Sequence, residues 1–330
     1  MNTFGVNFKI TDFGETHGEC IGGIIDGCPA GLYLDADFIQ RELNRRSLQH
    51  SQQQNIYSNT RREPDIVRFV SGVYDNITTG APLAFVIANR DVKVNEAANY
   101  VLKPSHASFV LMEKFGHQCN EQGGRFSARQ TACRVVAGAV AKLLLKELKI
   151  MIISSAENAG EYPENDTVGA LVRCEVLGVP AGWGEPTYDG LDARLAAAML
   201  SIPACKGFEI GEGFAAARMR GSEYNDRQNP DFTFVSNHDG GVQAGISNGQ
   251  PIEFKVAFKP IPTLRIPQKT IDYQGNPAIY QGSSRNDSSV VPRVLPVVEA
   301  MTALVLVDAW LSRRPVLNKS DFELKDIKSV

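Results

Sequence analysis

Two stretches of this chain are apolar around most of a helical circumference. Between Arg129 and Leu148, residues Val135, Val136, Ala139, Val140, Leu143 and Leu144 form a wide apolar face, with little polarity before Lys142. After Pro296 the residues are apolar nearly all round, and the run from Ala300 to Leu311 admits only Thr302 and Asp308 as polar positions. A surface helix would carry a polar stripe, so both segments predict helices buried between layers. Shorter apolar segments, such as Leu83 to Ile87 and Ile252 to Phe258, read as strands joined by Gly-rich turns suited to antiparallel sheets. The implied fold class is α+β: a β-α-β sandwich, with central buried helices between two antiparallel sheets.

The same pattern occurs twice. Gly27-Cys28-Pro29-Ala30-Gly31 precedes Leu34-Asp35-Ala36, and Gly178-Val179-Pro180-Ala181-Gly182 precedes Leu191-Asp192-Ala193. Gly80-Ala81-Pro82-Leu83 opens one strand-like run and Gly249-Gln250-Pro251-Ile252 another. Lys103-Pro104 follows the first run and Lys259-Pro260 the second. Arg125 stands nine residues before Arg134-Val135, and Arg285 eight before Arg293-Val294. Turn vocabulary recurs by chance, but here four signals keep their order. The expectation is a single domain over 1–330 with pseudo-twofold halves, roughly 1–150 and 170–330.

The whole chain adds mainly exclusions. Its 330 residues are 43% hydrophobic and 22% charged, sufficient for a sizeable core. A net charge of −3 provides no global field for nucleic acid or a membrane surface, so anion binding must come from local basic clusters. Met1 to Thr11 lacks a signal-peptide pattern, and no apolar run reaches the roughly 18 residues that span a bilayer. Cys20, Cys28, Cys119, Cys133, Cys174 and Cys205 are scattered without a C-x-x-C pair. They read as reduced core thiols of a cytoplasmic protein, and no metal site is expected. Gln49 to Arg62 reads as a loop and Glu157 to Thr167 as a surface turn.

Three stretches carry more glycine, histidine and arginine than packing requires. In Phe13-Gly14-Glu15-Thr16-His17-Gly18, an imidazole with open backbone access suits proton transfer, although an exposed turn reads the same way. Gly123-Gly124-Arg125-Phe126-Ser127-Ala128-Arg129 leads into a helix whose start carries Arg125, Arg129 and Arg134. Free N–H groups at a helix start favour anions, and guanidiniums there oppose the dipole unless an anionic ligand compensates. Arg285-Asn286-Asp287 precedes the last helix and is equally compatible with a surface ion pair. Lys103-Pro104-Ser105-His106 is ambiguous alone. His50, His117 and His238 have no such context, and Gly211-Glu212-Gly213 reads as a structural turn.

At these stretches the sequence resembles the chorismate synthase family over almost its full length. Gly14 to Gly18 matches Gly-Glu-Ser-His-Gly except at Thr16. Arg45-Arg46 matches an Arg-Arg-Arg run that here continues with Ser47. Arg61-Arg62-Glu63-Pro64-Asp65, Ser71-Gly72-Val73, Thr79-Gly80 and Lys259-Pro260-Ile261-Pro262-Thr263 also fit. Arg125 to Thr131 matches Arg-Ser-Ser-Ala-Arg-Glu-Thr, with Phe126 and Gln130 substituted.

The resemblance implies a homotetrameric enzyme that eliminates phosphate from 5-enolpyruvylshikimate 3-phosphate with reduced FMN as cofactor. Its substrate carries two carboxylates and a phosphate, for which the guanidinium fork is the fitting partner. By motif, His17 is the expected proton donor to the leaving phosphate, and His106 sets the protonation of reduced flavin. Ser127 and Asp287 are relay groups. Arg45, Arg46, Arg129 and Arg134 are expected substrate ligands. Arg125, Phe126, Ser127, Pro203, Ala204, Ala244, Lys259, Pro260, Ile261, Pro262, Thr263 and Arg285 fall where the family contacts FMN. Departures occur at Thr16, Phe126, Pro203, Ser105, Ser108 and Ser47. They motivate an alternative, a non-catalytic relative that binds anions or assembles with other chains. An NADP-linked flavin reductase is a third reading, opposed by the loss of basic residues after Arg46.

Overall fold

Strands arise where apolar and polar residues alternate. In Ile252–Phe258 the side chains of Ile252, Phe254, Val256 and Phe258 are buried while those between are half-exposed. The computed structural model describes residues 2–47, 64–90, 101–116, 126–157, 165–282 and 289–313. The first sheet contains β1 (Thr3–Phe4), β2 (Lys9–Gly14), β3 (Cys20–Asp26), β4 (Val67–Ser71) and β5 (Leu83–Ala88), in the order β1-β2-β3-β5-β4. The second contains β6 (Met151–Ala156), β7 (Ala170–Leu177), β8 (Cys205–Ile210) and β9 (Ile252–Phe258), in the order β8-β9-β7-β6. Every pairing in both is antiparallel.

Among the described residues, five helices of eight residues or more accompany them: α1 (Ala36–Ser47), α2 (Ser108–Phe115), α3 (Thr131–Glu147), α4 (Leu191–Leu200) and α5 (Val291–Ser312). α3 packs on β2 and β3, α5 packs on β6 and β7, and the two helices pack on each other. They cross where Gly138 meets Ala300. A Cβ built at Gly138 would lie 2.4 Å from the Ala300 Cα, so only glycine permits this approach. The sandwich expected from the sequence is therefore present, with the two apolar helices at its centre.

The halves share their topology. Strand, strand, helix, strand, ribbon, strand and long helix follow in the same order, as β2-β3-α1-β4-β5-α3 and β6-β7-α4-β8-β9-α5, with α2 ahead of α3 in the first half and a ribbon of Gln268–Ile271 with Pro277–Tyr280 ahead of α5 in the second. A two-stranded ribbon precedes β5 (Val73–Tyr74 with Ile77–Thr78) and another precedes β9 (Val242–Gln243 with Ile246–Ser247). The correspondence extends to single atoms. Thr78 Oγ1 donates to the Pro29 carbonyl at 2.7 Å and accepts from the Leu32 N–H at 2.9 Å. Ser247 Oγ does the same with Pro180 at 2.7 Å and Trp183 at 2.9 Å. Each hydroxyl satisfies the backbone of a Gly-Pro turn at the same place in its half.

Two features of α5 differ from the sequence reading. The helix starts at Val291 and runs through Pro296. Pro296 removes one N–H whose acceptor would lie in the first turn, where a kink is least disruptive. By length and composition α5 could also cross a membrane, yet 83% of that stretch is buried inside the protein. Its polar Asp308 is fully buried and accepts the backbone N–H groups of Val6, Asn7 and Phe8 at 2.9, 2.5 and 2.8 Å, with Arg194 as its ion partner. Cys28, Cys133, Cys174 and Cys205 are buried free thiols, and Cys20 is a half-buried one. Burial pushes the Cys28, Cys133 and Cys174 thiols up to about 12. The loop expected at Gln49 to Arg62 lies outside the described residues, as does most of the turn after Glu157.

Candidate functional site

Arg46 ends α1 with its guanidinium buried. Its Nε donates to Thr131 Oγ1 at 2.9 Å, and one terminal nitrogen donates to the Ala128 carbonyl at 2.7 Å. The other terminal nitrogen lies 3.5 Å from the Asp65 carboxylate. Arg129, in the short 3-10 turn ahead of α3, pairs with the other oxygen of Asp65 and donates from Nε to Asn89 Oδ1 at 3.1 Å. All three charged groups are buried. Asp65 has a left-handed φ of 45°, which Asp tolerates better than most residues. One carboxylate thus lies between two guanidiniums in a place poorly screened by water. Such a cluster favours an incoming anion.

The turn bearing His17 is tied to this cluster. Gly18 N–H closes it onto the Glu15 carbonyl at 3.1 Å. Asn89 Nδ2 donates to the carbonyls of Glu15 and Gly18 at 2.9 and 2.8 Å, and the Gln130 amide donates to the carbonyl of Gly14. Ser127 caps the 3-10 turn, its Oγ accepting from Arg129 N–H at 3.3 Å.

The ring of the preceding residue, Phe126, stands edge-on to His106 with centroids 5.4 Å apart. His106 Nδ1 accepts the Ser108 backbone N–H at 3.2 Å, which leaves Nε2 to carry the proton of a neutral ring. Burial, then the charges of Lys103 and Lys259, lowers His106 to about 4. Lys103 sits 5.8 Å over the Tyr280 ring and is itself lowered by burial.

The second half of the chain reaches the same cluster. Lys259 Nζ donates to the Ser105 carbonyl at 2.7 Å, and Lys259 N–H donates to the Ala204 carbonyl at 2.9 Å. Ala204 is left-handed, with φ of 70°. Arg134 donates to both the carbonyl and the hydroxyl of Ser201 at 3.0 Å, which holds the loop containing Pro203 and Ala204 against α3. Beyond Lys259, the segment Pro260-Ile261-Pro262-Thr263 is anchored by Thr167 Oγ1, which donates to the Ile261 carbonyl at 2.7 Å.

Of the expected residues, Arg45, Ala244 and Arg134 have other surroundings or contacts, and three more lie outside the described residues. Arg45 faces another cluster: its two terminal nitrogens each donate to Glu299 at 2.7 Å, and one also reaches Glu42. Successive helical residues point roughly 100° apart, so α1 cannot deliver Arg45 and Arg46 to one place. Arg45 thus pairs with Glu299 and Glu42, apart from the Arg46–Asp65–Arg129 cluster. Ala244 sits in the ribbon turn with φ of 50°, and the neighbouring Gly245 carbonyl accepts from Leu191 rather than from the Lys259 cluster. Arg134 is engaged with Ser201 as well as being placed near Ala204. Arg125, Arg285 and Asp287 lie outside the described residues. Sequence reasoning missed Asp65, Asn89 and Thr131 as site residues; Asp65 was visible only as the end of the Arg61-Arg62-Glu63-Pro64-Asp65 run. His238, left unassigned, pairs with the buried Asp226 at 2.9 Å away from this site.

Comparison with known proteins decides among the readings. A family model described as chorismate synthase matches residues 8–163 and 161–311. The chain belongs to the chorismate synthase family. A chorismate synthase of Porphyromonas gingivalis is 45% identical, over 95% of this chain and 96% of its own length. One from Christiangramia forsetii is 43% identical, over 95% and 98%. A crystal structure titled as chorismate synthase matches with a TM-score of 0.72 and 28% identity, covering 93% of each chain. Each of these matches covers more than nine-tenths of this chain.

The residues around His106 suit the flavin that the resemblance implies. Lys103 and Lys259 place two cations beside a neutral imidazole, and Phe126 supplies an aromatic wall. Among the described residues the buried Ser108 hydroxyl has no hydrogen-bond partner, and it lies two residues from His106. A basic, partly apolar surrounding with a spare polar atom suits an anionic ring system carrying a phosphate.

Proposed function

We propose that this protein is an active chorismate synthase, performing the 1,4-anti elimination of phosphate from 5-enolpyruvylshikimate 3-phosphate to give chorismate. The observation that supports this most directly is the buried Arg46–Asp65–Arg129 cluster, hydrogen-bonded through Asn89 to the turn that carries His17. Two buried guanidiniums suit a triply acidic substrate, because the guanidinium fork pairs carboxylate and phosphate bidentately. His17, on the adjoining turn, donates a proton to the departing phosphate. Ser127 and Asp287 are the proposed relay toward the hydrogen lost from carbon 6. When bound, reduced FMN supplies an electron transiently with no net redox change. His106 would hold it as a neutral Nε2–H donor, with Lys103 and Lys259 balancing its charge, alongside Phe126, Pro203, Ala204 and Pro260 to Thr263.

The same reading includes a cytoplasmic homotetramer that uses flavin reduced elsewhere, not by NADP chemistry of its own. Sedimentation of purified protein checks the assembly. Anaerobic incubation with the substrate and chemically reduced FMN tests the activity, with phosphate release expected only when both are present. Substrate binding with no turnover under those conditions would show a non-catalytic relative instead, and steady NADPH oxidation would show a reductase.

A further inference from the structure

We infer that Asn89 is a positioning residue that sets the distance between the proton donor His17 and the substrate-binding Arg129. The inference rests on the activity proposed above. Asn89 directly follows β5, and its backbone N–H donates to the Glu19 carbonyl at 2.9 Å, so its main chain is fixed beside the start of β3. From there the side chain divides its two donors and its oxygen between two parts of the site. Nδ2 donates to Glu15 and Gly18, the two ends of the turn that carries His17, while Oδ1 accepts from Arg129.

The orientation of the amide follows from its partners. Two carbonyls can only accept and a guanidinium can only donate, so one placement of the nitrogen and oxygen satisfies all three. An amide is the only side chain of this size that gives two donors on one side and an acceptor on the other. Asp would face two carbonyls with a carboxylate, and Ser has one donor and a shorter reach. A second link runs in parallel: Gln130, next to Arg129, donates to the Gly14 carbonyl just ahead of the turn. The His17 turn is thus gripped at three carbonyls by two side chains, and both lines of attachment lead back to Arg129 and its neighbour. Asp65 holds the far side of Arg129, so displacement of the turn would be felt at the anion site.

Asn89→Asp is the informative variant, because it keeps the size and replaces the donors with a carboxylate. With substrate and reduced FMN under anaerobic conditions, kcat is expected to fall by about 10²-fold with KM changed by less than a few-fold, the signature of misplacement in place of lost binding. Lowering the pH protonates the new carboxyl and restores one donor, so the activity of Asn89→Asp relative to wild type rises as pH falls. Asn89→Ala should show the kcat loss without that pH recovery. In ligand-free protein, NMR of the His17 imidazole and exchange of the Gly18 amide should change in both variants, while near-UV circular dichroism stays native. Wild-type kcat in both variants, or KM rising in step with the fall in kcat, overturns the inference. If the wild type itself fails to turn over, the proposed activity falls, and the ligand-free NMR then decides Asn89 by itself: an unchanged His17 signal rejects it.

Discussion

Gly138 of α3 presses directly on Ala300 of α5, backbone against backbone, at the centre of the sandwich. Nothing flexible separates the helices there, so a side chain at 138 has to push them apart. Gly138→Ala should cost about 1–3 kcal/mol despite the gain in helix propensity, and Gly138→Val should cost more. Urea denaturation followed by circular dichroism measures both.

Asp65 is the only carboxylate seen between Arg46 and Arg129 among the described residues. Asp65→Asn keeps the shape and removes the charge, leaving two buried guanidiniums facing each other. Breaking a buried ion pair from one side costs about 3–5 kcal/mol. The variant should be less stable by that order and should recover most of the loss when sulfate or phosphate is added. A melting temperature insensitive to added anion would argue against an anion site here.

Glu299 predicts acid lability. Burial alone would raise its carboxyl, but the bidentate Arg45 and the charge of Lys142 bring it down to about 2, from an ordinary 4.5. A folded-state value below the unfolded one stabilises the protein fully above about pH 4.5, and that contribution is lost as pH falls toward 2. Glu299→Gln should lower stability at neutral pH by about 3 kcal/mol and flatten the acid limb of the melting-temperature profile.

His106 shifts in the same direction for a different reason. Because the folded protein holds it near 4 against an ordinary 6.5, the unfolded chain binds more protons between these values, and stability rises with pH across that window. NMR of the ligand-free protein should find the His106 midpoint near 4, moved upward by Lys259→Met. His106→Ala should reduce turnover by about 10²–10⁴-fold if proton transfer depends on it.

Thr78 and Ser247 test the internal repeat. Each hydroxyl satisfies one buried N–H and one carbonyl of its turn. Thr78→Val and Ser247→Ala should each cost about 1–3 kcal/mol, and because the sites are remote from one another the double variant should show the sum. Unequal losses would mean that the two turns are not equivalent in energy.

Much of the fold was legible in the sequence because its signals are local. The two central helices announce themselves by the lack of a polar stripe, and the repeat by glycines whose conformation is forced: Gly27 and Gly178, like Gly80 and Gly249, all take φ between 85° and 93°. The site was legible in part. The turn that carries His17 is tied through Asn89 to Arg129, which shares Asp65 with Arg46, and Lys259 reaches the Ser105 carbonyl beside His106. The partners that orient them were not legible, because Asp65 and Asn89 meet Arg129 across 64 and 40 positions of chain, and no periodicity encodes such pairings. Arg45 and Arg46 look interchangeable in a string of letters. Only the helix, by turning one toward Asp65 and the other toward Glu299, tells them apart.

The grip of Asp308 on Val6, Asn7 and Phe8 joins residues about three hundred positions apart. During synthesis on the ribosome the segment leading into β2 emerges about three hundred residues before Asp308, so its backbone donors wait that long for their acceptor. The strands of the first sheet are thus all made long before the turn between β1 and β2 is anchored, and a chain truncated ahead of α5 would leave that turn undocked and prone to stray pairing.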